Sequence, residues 1–251
     1  MTRFARISSV AIDNPSTWEG RWFLTFDVDW AHDAVLQDVI ELLEPSGVAA
    51  TWFVTHKTPL VRRLQINSNF EVGIRPNFNP LLNGDNSNGT SAAKIIDTLL
   101  DVVPRCRSVR SHSLAQSGPI NRLFADRQIT HSSNCFVPER SGIHLRPWFL
   151  SSGLIDVPYC WADEHCEEKW QSFAVSRFVS LTGLVVFDFH PIHVFLNTEH
   201  LDRYERTRSL HQNPTELIKH RYEGYGTRNQ LMELLALARK DAEVATTAKS
   251  T

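Results

Sequence analysis

The sequence predicts an α/β chain folded as one parallel (β/α) barrel. Three observations carry this. Short apolar runs alternate with amphipathic stretches of helical period, the pattern of parallel strands covered by helices. Roughly seven or eight such runs share one stretch of chain, which favours a closed barrel over an open sheet. No glycine-rich fingerprint follows the first strand, as a dinucleotide-binding sheet would require.

The elements follow in order. RWFLTFDVDW (21–30) opens as a buried strand and ends in two acids. In AVLQDVIELLEPSG, Val35, Val39 and Leu42 share one helical face, and Pro45 to Gly47 stops the helix. VAATWFVT (48–55) is a continuous apolar strand, and Thr58 and Pro59 open the next helix. FEVGI (70–74) is a short strand, followed by a polar loop over 75–90 rich in Asn and Gly. SAAKIIDTLLDVV (91–103) is a helix stopped by Pro104. SVRSH (108–112), a helix near 119–127, and QITHSS (128–133) continue the alternation. GLIDVPY (153–159) and LVVFDFH (184–190) are the last strands. TRNQLMELLALARK (227–240) is the closing helix, its start marked by the capping-box pair Thr227 and Gln230. Residues 1–240 therefore read as one barrel domain. The segment 241–251 has no apolar face and reads as a frayed, disordered tail.

Composition narrows the function. Lys and Arg number 26 against 28 Asp and Glu, a net charge of −2, so no overall basic field draws in nucleic acid or an anionic membrane. No run is long and apolar enough to span a bilayer, and the first residues lack a signal-peptide core, so the expected place is the cytoplasm. Cys106, Cys135, Cys160 and Cys166 form no CxxC pair, which argues against a zinc ribbon or a thioredoxin-like centre; they read as buried thiols. Oligomeric state is not legible.

Polar residues gather just after strands: Asp27 and Asp29, Arg75 and Asn77, Arg110 and His112, His190 and His193. In a parallel barrel those strand ends converge on one face, where active sites form. Asp27 and Asp29, two apart, point the same way if the strand is regular. Asp29 also reads as a cap for the following helix. Arg110 reads as a two-pronged partner of Asp27, whether functional or structural. His190 ends a strand before Pro191, and His193 follows; imidazole suits proton transfer or metal ligation, and a satisfied core histidine is the competing reading for both. Asp188 reads as orienting a neighbouring group. Trp161, beside Asp163 and Glu164, reads as a sugar-stacking surface or as a loop anchor.

These pieces, in this order, resemble the polysaccharide deacetylase family, the NodB-homology domain of carbohydrate esterase family four. TFDVDW resembles its first motif, EVGIRPNFNP (71–80) the segment that usually reads E-[IV]-G-x-H-x-x-x-H-P, VRSHS its arginine motif, and LVVFDFHPIH its last motif. GIRPNFNP, RSHS, VPYCW, FHPIHVFLNT and GTRNQL further resemble a bacterial branch associated with surface-polysaccharide biosynthesis. The resemblance spans about residues 20–240. It implies a distorted (β/α) barrel and a metal-dependent hydrolase that removes the acyl group of an N-acylated sugar. For a cytoplasmic protein the substrate would be a nucleotide- or lipid-linked sugar.

Residue by residue, Asp27 resembles the general base and Asp29 the metal-binding acid, although DVD in place of adjacent acids leaves these roles exchangeable. Arg110 resembles the residue that orients the base, and His190 the general acid. The cofactor the resemblance implies is a divalent metal, often zinc, yet the two histidine positions hold Arg75 and Asn79. Arginine has no lone pair to ligate a cation. Asp29 and Asn79, completed by His112 or His193, would form the metal set. Arg75, Trp161 and His193 stand as substrate-binding candidates. The departure also opens two other classes. One is a sugar-binding or scaffold protein whose Arg75 takes a phosphate or uronate. The other is a glycosidase using Asp163 or Glu164 as a second acid.

Overall fold

Nine strands lie in one sheet in the order β7-β8-β6-β5-β4-β3-β2-β10-β9, with β1 (Phe4–Ala5) paired to the start of β2. They are β2 (Trp22–Asp27), β3 (Ala50–Val54), β4 (Phe70–Ile74), β5 (Ser108–Val109), β6 (His131–Ser132), β7 (Trp148–Phe149), β8 (Ile155–Asp156), β9 (Trp161–Ala162) and β10 (Val185–Phe189). A computed structural model describes residues 3–165 and 175–247. Every pairing among them is parallel except β7 with β8. The sheet curls into a half-barrel, and β9 and β7 remain its two edges among the described residues. This is the expected α/β barrel class in its distorted form.

Strands β2, β3 and β10 are buried along their whole length, which is why they read as unbroken apolar runs. Their alternation separates two layers. On the outer face Phe26 stacks on Trp52 at 4.2 Å and lies 5.8 Å from Phe189, under the covering helices. On the inner face the same strands turn Thr25, Asp27, Phe53 and Asp188 toward the barrel axis. Apolar side chains thus hold the sheet together from outside, while its interior turns polar near the carboxyl ends.

The closing helix differs from the sequence reading in both its start and its end. The last helix begins at Thr227, but the Thr227 hydroxyl donates to the Thr198 carbonyl at 2.8 Å instead of capping its own helix. The Asn197 side chain accepts from Arg228 N–H in its place, at 2.9 Å. That helix continues to Thr247, further than the pattern over 227–240 placed it. Residues 248–251 and Cys166 lie outside the described residues.

Candidate active site

β2 ends at Asp27, and the chain then turns sharply: Asp29 and Trp30 both adopt left-handed backbone, at φ 39° and 54°. Such φ values are rare for residues other than glycine and mark local strain. The two acids therefore do not share one strand face, as a regular strand would have required. Asp27 points into the barrel and is 1% exposed; Asp29 is swung outward to the rim.

Arg110 follows β5 and is fully buried. Its guanidinium lies between the Phe53 and Tyr159 rings, 4.7 and 4.5 Å from their centroids. Nη1 donates to Asp188 at 2.5 Å, Thr25 Oγ1 at 2.8 Å and Asp27 at 3.1 Å, while Nε and Nη2 reach the Ser133 carbonyl and hydroxyl. Arg110 thus holds Asp27 through one nitrogen shared with Asp188, not through a two-pronged pair. Asp188, the expected orienting group, is Arg110's partner. Burial pushes its carboxyl well above the usual range, against the pull of Arg110.

The two-pronged pair is made by Arg75, which follows β4. Nε and Nη2 donate to Asp29 Oδ1 and Oδ2 at 2.5 and 3.1 Å, and Nη1 lies against Asp27 Oδ2. Arg75 is 5% exposed and turns its charge toward the acids, not toward a ligand. Burial alone would raise the Asp29 pKa, but Arg75, with His112 and His190 beside it, holds the carboxyl well below the usual range.

His190 directly follows β10 and is the residue before the helix Pro191–Leu196. Asp163, just after β9, accepts from its backbone N–H and pairs with Nδ1, both at 2.7 Å. Nε2 then faces Asp29 Oδ2 at 3.5 Å. Burial opposes the imidazolium, yet the Asp163 and Asp29 carboxylates lift its pKa well above the ordinary histidine value. His112 Nδ1 approaches Asp29 Oδ1 at 3.4 Å from the other side. His193 is buried, pairs through Nδ1 with Thr198 Oγ1 at 3.1 Å and packs on Tyr204; burial lowers its pKa.

Asp29, His112 and His190 form the floor of a cavity of about 630 Å³. Its walls include Trp30, His193, Tyr204, Arg208 and His211. The wall from residues 201–212 has no counterpart in the sequence reading, since its polar pattern is that of any surface helix. Asp163 was read as a sugar-side acid; its partnership with His190 depends on β9 lying beside β10, which sequence order does not reveal. Two candidates lie away from the cavity. Trp161 is 2% exposed and packs 4.8 Å from Phe189 on the outer layer, so it is a core side chain here and not a sugar platform. Asn79 opens the short helix Asn79–Leu82 and gives its amide to Ser113 at 2.9 Å, bracing the turn that carries His112.

The resemblance calls for a divalent metal. One group among the described residues offers three ligand atoms within 4.8 Å of one another: Asp27, Asp188 and His190. Three of their four carboxylate oxygens already face a guanidinium. Asp27 faces Arg110 with one oxygen and Arg75 with the other, and Asp188 Oδ1 lies on Arg110. Both Asp29 oxygens accept from Arg75, which brings its fixed positive charge against them, and keep one open side each toward His112 and His190. A dication here would sit against two guanidiniums, a repulsion of several kcal/mol at ~4 Å even with an effective dielectric near 20. The residues present do not fit a metal at this point.

The sequence profile of the WbmS-like polysaccharide deacetylases matches residues 24–208. The chain is 46% identical to a Bordetella bronchiseptica protein of known crystal structure, assigned to polysaccharide deacetylation in O-antigen biosynthesis. The match covers 94% of this chain and 98% of that one, with a TM-score of 0.89. A Mycobacterium smegmatis structure assigned as a polysaccharide deacetylase aligns at 15% identity over 88% and 91% of the two chains, with a TM-score of 0.46, too distant to add to the case. No curated protein matches the chain significantly. Profile, identity and shared fold agree: the chain belongs to the WbmS-like polysaccharide deacetylases, hydrolases of non-peptide carbon–nitrogen bonds.

Proposed function

We propose that this protein hydrolyses the amide of an N-acylated sugar during synthesis of a bacterial surface polysaccharide, on a nucleotide- or lipid-linked precursor in the cytoplasm. The observation that carries the chemistry is the pair Asp29 and His190, 3.5 Å apart on the cavity floor, with Asp163 behind the imidazole. The Bordetella relative supports the pathway.

In this reading Asp29, not Asp27, is the general base. Asp27 is sealed between two guanidiniums and out of reach of a substrate, whereas Asp29 opens to the cavity. Water oxygen adds to the acyl carbon while its proton passes to Asp29 Oδ2. The depressed pKa keeps Asp29 ionised, and it accepts as the new bond forms and the water becomes acidic. The C–N bond then breaks as His190 Nε2 gives its proton to the leaving nitrogen. Amine and carboxylic acid result, and a proton moving from Asp29 to His190 restores both groups. Asp163 holds Nδ1, so that Nε2 is the nitrogen presented to the substrate. Arg110 and Arg75 fix Asp27 and Asp29 in place.

The sugar-binding alternative required Arg75 to face a ligand, and it faces the acids. The test is direct: purified protein is incubated with N-acetylated and N-formylated sugars, free and nucleotide-linked, and the released amine is followed by mass spectrometry. Deacylation by wild type, with a loss of about 10²–10⁴-fold in His190→Ala, is expected. Equal turnover in that variant would remove His190 from the reaction.

A further inference from the structure

We infer that the Arg75 guanidinium is the cation of this active site, standing in place of a divalent metal, and that hydrolysis at Asp29 and His190 requires no metal. The inference rests on the deacetylase reading above and departs from what the resemblance implies for its cofactor.

Three features support it. The first is position. Arg75 leaves β4 with its N–H on the Val54 carbonyl at 2.8 Å, so the sheet ladder sets where the side chain starts. Its fork takes both oxygens of Asp29, and Nη1 lies on Asp27. The second is donor chemistry. A guanidinium keeps its proton and has no lone pair, so it cannot join a ligand set; it can only displace one. The third is charge. Arg75 and Arg110 already face the three acids Asp27, Asp29 and Asp188, so two fixed positive charges stand where a metal would otherwise supply them. An added dication would leave that cluster overcharged in a buried place. Asp29 is also held on a left-handed turn that aims Oδ2 at His190. Arg75 touches no substrate. It is a positioning residue that sets the plane of the Asp29 carboxylate and supplies the fixed positive charge behind it.

The experiment uses full-length protein stripped with a strong chelator and checked by elemental analysis. Wild type, Arg75→Lys and Arg75→His are compared by zinc calorimetry, circular dichroism and turnover of the N-acylated sugar panel. Stripped wild type should keep its turnover within about twofold and bind no stoichiometric zinc. Arg75→His removes the charge and adds an imidazole, and its zinc affinity should rise by about tenfold or more. Arg75→Lys keeps the charge but loses the fork; kcat should fall about tenfold with KM little changed and the fold intact. Turnover lost on stripping and restored by zinc, or tight stoichiometric zinc in wild type, overturns the inference. If neither stripped nor zinc-loaded protein acts on any sugar, the deacetylase reading fails. The calorimetry then decides alone: zinc binding that is tighter in Arg75→His than in wild type upholds Arg75 as the site's cation, and equal binding or tighter binding by wild type refutes it.

Discussion

Asp163 sets both the orientation and the charge of His190. Replacing it with Asn keeps the shape but puts an NH₂ where one imidazole or backbone N–H must be accepted. Asp163→Asn should lower kcat by about 10²-fold, and the alkaline limb of its pH–rate profile, where His190 loses its proton, should move to lower pH, read from kcat between pH 5 and 9. The same contact links to stability. The folded pKa of His190 lies well above that of the unfolded imidazole. Its contribution is therefore complete below about pH 6.5 and is lost as pH rises through the folded pKa. Wild-type melting temperature should fall across that alkaline window, and Asp163→Asn should flatten the fall. Asp29 has the opposite sign. Its folded pKa is depressed, so its contribution is present above about pH 4 and is lost as pH falls further. At this scale much was legible. Asp27, Asp29, Arg110 and His190 announce themselves as charged groups at the ends of apolar strands. What they bind was not legible. Arg75 looked like a missing histidine, and only the fold shows its fork closed on Asp29. Trp161 beside acids reads alike on a surface and in a core; its burial follows from β9 pairing with β10.

Among the elements, β4 shows how the strands make room for charge. A Cβ on Gly73 would meet Ser108 Oγ at 2.6 Å, the Ser108 carbonyl at 2.7 Å and the Phe53 ring at 2.8 Å. The bare backbone lets β3, β4 and β5 close together while Phe53 still underlies Arg110. Gly73→Ala should destabilise the protein by about 1–3 kcal/mol, measured by urea unfolding, and should reduce turnover by displacing Arg75 and Arg110 together. The periodicity that placed these strands in the sequence is strong where a strand is five or six residues long, as in β2, β3, β4 and β10. It fades in the two-residue strands β5 to β9, where loop contacts fix the path. The left-handed turn at Asp29 and Trp30 left little trace: Asp tolerates positive φ but is common in other conformations, and Trp does not signal it.

The molecule as a whole closes its sheet from both ends of the chain. β2, almost at the beginning, has β10 as one neighbour, and the two run in register from Trp22 with Val185 to Phe26 with Phe189. Asp188 and Asp27 thereby meet across more than half the sequence to share Arg110. A chain cut after residue 183 should show no cooperative thermal transition by circular dichroism and should be digested readily by protease. A sharp melt from that fragment would mean the remaining strands suffice as a core. The general barrel topology was legible from alternation, yet this particular neighbour was not, since nothing in β2 names its partner. The pairing also constrains how the protein is made. While the ribosome is still adding residues, β2 waits with one ladder edge open and apolar side chains uncovered, for most of the elongation time. The nascent chain is then a natural client for a holding chaperone, and slow codons placed before residue 185 would prolong that exposure and lower the yield of soluble product.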